Sequence, residues 1–206
     1  PRESESMPAK VSGRRLSCLT RATIAALLLL CMSSSGLFAQ ERRDALAAYR
    51  QGRYELAVEI TNDELSENPR NLDAYTVAGW SFLALGRYAD ALQTADRGLS
   101  VNSSDYRIVQ IRGEALYFLG QNVEALTELE RYIRLSPAGE PRIGYVYFLI
   151  GEILIRFTEY HTADIALSTA VHHSPGFALW WARLGWAREQ AENTESALAA
   201  YDRALS

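Results

Sequence analysis

Glu114 and Glu152 are the side chains best suited to chemistry in this 206-residue chain. Two carboxylates facing one another can divide the work of a general acid and a general base. Such a pair needs a nucleophile, an oxyanion stabiliser or a substrate pocket beside it, and the surrounding sequence supplies none of them. His172 and His173 are the next candidates. Adjacent helical residues point about 100° apart, so they do not share a metal as an i, i+4 pair does. His161 lies about three turns upstream in the same periodic stretch. Glu124, Glu128 and Glu130 read as a solvated acidic face. There is no phosphate loop and no Gly-rich dinucleotide turn. Both cysteines, Cys18 and Cys31, sit near the N-terminus, so the body has no thiolate metal site and no disulfide framework. The expectation is a protein that is not an enzyme and carries no metal or cofactor.

Charge narrows the partner class. Residues 1–39 hold five of the 21 basic side chains (Arg2, Lys10, Arg14, Arg15, Arg21) and two of the 25 acidic ones (Glu3, Glu5). The remainder keeps 16 basic against 23 acidic groups, a net of −7. An acidic body argues against nonspecific nucleic-acid binding, which depends on basic patches.

Met7 reads as a translation start, with residues 1–6 left over from an upstream reading frame or added by expression. After it come Lys10, Arg14, Arg15 and Arg21, then the apolar run Ala22 to Met32, then Ser33–Ser34–Ser35–Gly36 and Leu37–Phe38–Ala39. That order is the layout of a secretory signal peptide, cut after Ala39. The apolar run falls short of the roughly 20 residues that span a bilayer as a helix. Two other readings share these residues: an uncleaved anchor from Ala22 to Ala39, and a lipoprotein acylated on Cys31 within a loose Leu28–Leu29–Leu30–Cys31 lipobox. All three place the body outside the cytoplasm, in the bacterial periplasm or at the envelope. They confine any membrane contact to residues 1–39.

From about residue 40 the text repeats. Gly52, Gly86 and Gly120 keep an interval of 34 residues, as do Ala57, Ala91 and Ala125. After a slip of four residues the interval returns with Gly151 and Gly185, and with Ala163 and Ala197. Pro69, Pro137 and Pro175 close units. On these residues the body resembles a tetratricopeptide repeat array, whose unit is an antiparallel helix pair of 34 residues. The resemblance implies an all-α fold, an α-solenoid wound as a right-handed superhelix of about five helix-turn-helix repeats. The units fall at about 38–71, 72–105, 106–139, 144–177 and 178–206. Gly79, Gly113, Gly151 and Gly185 occupy one helical position, where Gly costs roughly 1 kcal/mol relative to Ala. Close approach of two helix backbones would offset that cost. Asn122 replaces the aromatic that opens other second helices, and should loosen its turn. Pro137–Ala138–Gly139–Glu140–Pro141 reads as an inserted loop, past which the superhelix continues.

In such an array the first helices line a concave wall. Helical spacing puts Arg42, Leu46 and Tyr49 on it, then Thr76, Trp80 and Leu83. Gln110, Glu114 and Tyr117 follow, then Phe148, Glu152 and Ile155, then Arg183, Trp186 and Glu189. Aromatics flanked by Arg and Glu suit a peptide or protein segment held in a groove, with Trp80 and Trp186 the foremost candidates. The competing reading has these rings packing between neighbouring first helices as core. The best-known arrays of this kind grip a terminal carboxylate with Lys, Arg and Asn, whereas this wall has no Lys and carries Glu114 and Glu152. A carboxylate clamp is therefore not expected. Leu198, Tyr201 and Leu205 would be left without a following unit. That suggests an array continuing in a longer enzyme or envelope machine, or a self-associating end. The leading expectation is a scaffold that binds a protein or peptide segment on its concave face and helps assemble an envelope complex.

Overall fold

The computed structural model describes residues 44–206, of which Ala45–Ser206 form one compact unit. The signal-like segment and Arg42 lie outside the described residues. Among the described residues there are ten α-helices and no strand. They are α1 (Ala45–Arg50), α2 (Tyr54–Glu67), α3 (Leu72–Ala84), α4 (Tyr88–Val101) and α5 (Tyr106–Phe118). Then come α6 (Asn122–Leu135), α7 (Ile143–Arg156), α8 (Tyr160–His173), α9 (Ala178–Gln190) and α10 (Thr194–Leu205). Odd-numbered helices pack on the even-numbered helix that follows. In addition α1 packs on α3, α3 on α5 and α5 on α7, and Phe148 of α7 stacks on Trp180 of α9, so the first helices form a row. None of these helices is long and apolar enough to cross a membrane.

Local signals start and stop these helices. The Asn71 carboxamide oxygen accepts from the Ala74 N–H at 3.1 Å, capping α3, and Asp105 Oδ1 accepts from the Arg107 N–H at 3.1 Å, capping α5. Every first helix ends in the same turn. Gly86 takes φ +70°, its N–H donates to the Leu83 carbonyl at 3.0 Å, and the Arg87 N–H donates to the Phe82 carbonyl at 2.9 Å. This is a Schellman ending, which requires a left-handed residue just past the helix. Gly52 and Gly120 repeat it. The third turn is not loosened by Asn122: its two bonds measure 3.1 and 2.9 Å. The Asn122 carboxamide oxygen instead accepts from Arg156 Nη1 at 2.8 Å, tying α6 to the next unit. In the fourth and fifth turns Thr158 and Glu192 take the left-handed position, both at φ 62°.

The first helices of units two to five each carry a glycine at a crossing; what lies nearest it is a side chain, joined at Gly113 by the backbone, with Leu129 N 3.3 Å from the Cβ position. A Cβ on Gly151 would stand 2.6 Å from Leu167 Cγ, on Gly113 2.8 Å from Leu129 Cδ2, and on Gly185 2.7 Å from Tyr201 Cδ1. Gly79 differs in its partner, because Ile111 of the next unit presses on it at 2.8 Å. Ala57, Ala91, Ala125, Ala163 and Ala197 are buried where each second helix meets its first. The apolar core is accordingly a chain of three clusters running along the array. Two aromatics pin unit boundaries: the Tyr75 hydroxyl donates to the Pro69 carbonyl at 3.2 Å, and Trp181 Nε1 donates to that of Pro175 at 2.8 Å.

Two further expectations change. Glu128 is buried and not on a solvated face; its carboxylate binds Arg112 at 3.0 Å and Arg131 at 3.2 Å, while Glu124 and Glu130 are exposed. Tyr201 is not left without a partner, since its ring covers Gly185 and its hydroxyl donates to Glu189 at 2.8 Å. Leu198 and Leu205 are exposed.

Gly151→Ala should cost about 1–3 kcal/mol through overpacking against Leu167. Adding Leu167→Ala should recover part of that loss, giving a double mutant more stable than the sum of the single changes, as read by urea unfolding. Additive losses would show that the contact does not govern the pair. Thr158→Gly should raise stability by about 0.5–1 kcal/mol, because release of a left-handed β-branched residue exceeds the entropy cost of glycine. A melting temperature that falls would contradict this.

Candidate functional site: the face of the first helices

The row of first helices brings wall residues from separate units into contact. Tyr49 of α1 and Trp80 of α3 sit with ring centroids 5.8 Å apart. Trp80 Nε1 donates to Gln110 Oε1 of α5 at 3.4 Å. Gln110 is itself buried, and its Nε2 donates to Glu114 Oε1 one turn further along α5. A polar thread thus crosses two units inside an otherwise aromatic layer. It ends at Arg142, whose Nη2 stands 3.6 Å from Glu114 Oε1. Arg142 immediately precedes α7, at the end of the inserted loop.

These groups surround a pocket of about 220 Å³ lined by Tyr49, Trp80, Leu83, Ala84, Tyr88, Glu114, Phe118, Arg142 and Tyr145. Tyr88 and Phe118 stack at 4.5 Å along its rim. The Glu114 side chain is 5% exposed. Burial pushes its carboxyl up to about 7, against the opposing pull of Arg142. Burial also raises the Tyr49 and Tyr145 phenols, again with Arg142 acting in the opposite sense.

Further along, charge pairs replace the pocket. Arg183 Nε of α9 donates to Glu152 Oε1 of α7 at 2.6 Å, and its guanidinium lies 5.2 Å above the Trp186 ring. Trp186 meets Tyr160 edge-on at 5.6 Å. Arg156 lies 4.5 Å above the Tyr117 ring. Phe148 stacks on Trp180 of α9 at 5.1 Å. Tyr49, Trp80, Tyr117, Phe148 and Trp186 are all half-buried, so each ring both packs on a neighbour and keeps an open edge.

Glu114 and Glu152 do not form an acid–base pair, because each carboxylate is engaged by a different arginine. His161, His172 and His173 are exposed, with the His173 ring stacked on Tyr147 at 6.4 Å. Among the described residues no group of three His, Cys, Asp or Glu side chains could hold a metal. Arg142 is the site residue that the spacing missed. It belongs to no first-helix register position, and the sole signal for it was the four-residue slip that announces the loop.

The tetratricopeptide repeat family model matches residues 43–107, 76–140 and 148–206. The chain belongs to that family. No curated protein sequence matches it. Among solved structures it is similar to MamA 41-end from Desulfovibrio magneticus RS-1, at TM-score 0.68 and 19% identity over 81% of this chain and 93% of that one. A crystal structure of MamA aligns at TM-score 0.67 and 19% identity, covering 78% and 92%. MamA AMB-1 aligns at TM-score 0.67 and 18% identity, covering 80% and 95%. At these identities the likeness establishes the fold, an all-α solenoid of repeated helix pairs. That fold is a protein–protein interaction scaffold of a typically non-catalytic kind.

A carboxyl whose folded-state pKa lies above its unfolded value holds an extra proton when native, so its contribution to stability declines as pH rises through that interval. For Glu114 the interval runs from 4.5 to about 7. Glu114→Gln should therefore gain stability relative to the unsubstituted protein between pH 5 and 8, by up to about 3 kcal/mol. Denaturant unfolding at several pH values reads this directly, and parallel stability profiles for the two proteins would refute it.

Proposed function

We propose that this protein is an exported scaffold that holds a peptide or protein segment along the concave face of its first helices and contributes to assembly of an envelope complex. The observation that carries the binding reading is the row of half-buried rings Tyr49, Trp80, Tyr117, Phe148 and Trp186, interleaved with the charges of Glu114, Glu152 and Arg183. Aromatic and arginine side chains held rigid by their neighbours make strong anchors, since little side-chain entropy remains to be lost on binding. Export is read from the basic, apolar and small-residue order of the N-terminal segment.

The test places a photoreactive benzoylphenylalanine in the full-length chain, expressed in its native cells, at Tyr117 or Phe148 on the wall. Controls carry it at Val123 of α6 and Ile165 of α8, which are 66% and 70% exposed on second helices. The expected result is one and the same protein captured from both wall positions, absent from both second-helix positions, and located outside the cytoplasm. Capture from Val123 and Ile165 with none from the wall would overturn the assignment of the face. Capture of a second copy of this chain from the same wall positions would turn the reading toward self-association.

A further inference from the structure

The pocket over Glu114 has a chemistry of its own. Within its lining stand five aromatic rings, those of Tyr49, Trp80, Tyr88, Phe118 and Tyr145, and two charges, Glu114 and Arg142. Glu114 is the deeper charge, its side chain 5% exposed against 38% for Arg142. Its Oε1 takes the Gln110 amide and faces Arg142. Among the described residues none donates a hydrogen bond to its Oε2. Arg142 stands 3.6 Å away without a hydrogen bond, whereas the Arg183–Glu152 pair on the same face closes to 2.6 Å. The Glu114–Arg142 pair is thus loose for a nearly buried carboxylate, and a buried charge held by a loose partner is costly.

We propose that this pocket receives one cationic side chain, an arginine or lysine of the bound segment, with its charge against Glu114 and its stem among the rings. The inference rests on the reading of this face as the binding wall. An incoming cation would make the close charge-assisted contact that Arg142 at 3.6 Å does not, and would meet the negative faces of the surrounding rings, which attract positive charge. A carboxylate ligand would meet the same rings and the same buried charge as repulsions, and would gain only Arg142. Arg142 then acts as an internal placeholder that the guest displaces toward solvent. The net charge of −7 on residues 40–206 favours the same kind of partner.

The test titrates the purified full-length chain with three end-blocked tripeptides, acetyl-Gly-Arg-Gly-amide, acetyl-Gly-Glu-Gly-amide and acetyl-Gly-Gln-Gly-amide. Binding is read from the nuclear magnetic resonance signal of the Trp80 indole N–H, assigned by its loss in Trp80→Phe. The arginine peptide should shift this signal saturably, and the other two should not. Arg142→Ala should tighten the arginine peptide by about fivefold, and Glu114→Gln should weaken it by at least about tenfold. The Arg142 variant alters a partly exposed loop residue, so it tests the proposal independently of Glu114→Gln. A shift by the glutamate peptide that Arg142→Ala abolishes would overturn the proposal in favour of an anion site. Arginine binding unchanged by both substitutions, or no shift by any peptide in Arg142→Ala, would overturn it as well. Each of these failures leaves the crosslinking pattern of the wall unaffected and so stands apart from failure of the binding reading.

Discussion

One contact recurs in the last three units and the close pairing there depends on it: a bulky second-helix side chain seated on a glycine of the first helix. Leu129 on Gly113, Leu167 on Gly151 and Tyr201 on Gly185 bring paired helices closer than any side chain at the glycine would allow. Tight pairing lets one unit's surface meet the next as a continuous sheet of side chains. Among the described residues the apolar clusters run from unit to unit. Stability in such a molecule comes from pairs and from the interfaces between neighbours.

Polar groups reinforce those interfaces from unit to unit. Arg107 of α5 binds Asp73 of α3 at 2.7 Å and Asp105 at 2.8 Å, Arg156 reaches back to Asn122, and Arg183 reaches back to Glu152. Most of these pairs are partly exposed and individually weak. Their common effect is to set how one unit is oriented on the next, and so to fix the spacing of the rings along the wall. The wall is therefore built by the same contacts that hold the array together, which is why its aromatics are half-buried and not free.

The period of 34 residues made the helix pairs and their turns legible, because each unit repeats the same steric demand. Tyr49, Trp80, Gln110, Glu114 and Tyr117 could be placed on one face by counting. Counting failed where a residue's environment depends on a neighbour outside the register. Glu128 looked solvated until Arg112, from the paired helix, was seen beside it. Thr158 and Glu192 hid two repeats of the glycine turn, because hydrogen bonds can hold a non-glycine residue left-handed where the flanking helices demand it. Tyr201 has no legible partner in the register because Gly185, which its ring covers, offers no side chain to pair with.

By itself the sequence determined the repeat, the family and the helix pairs. These follow from steric periodicity, which is local and survives translation from one unit to the next. Only the tertiary structure decided which charges share a pocket and in what state. Arg142 arrives over Glu114 from an inserted loop that follows no period, and the carboxyl's rise to about 7 comes from exclusion of water by rings from several helices. Desolvation is a property of the assembled neighbourhood, so no reading along a single helix contains it.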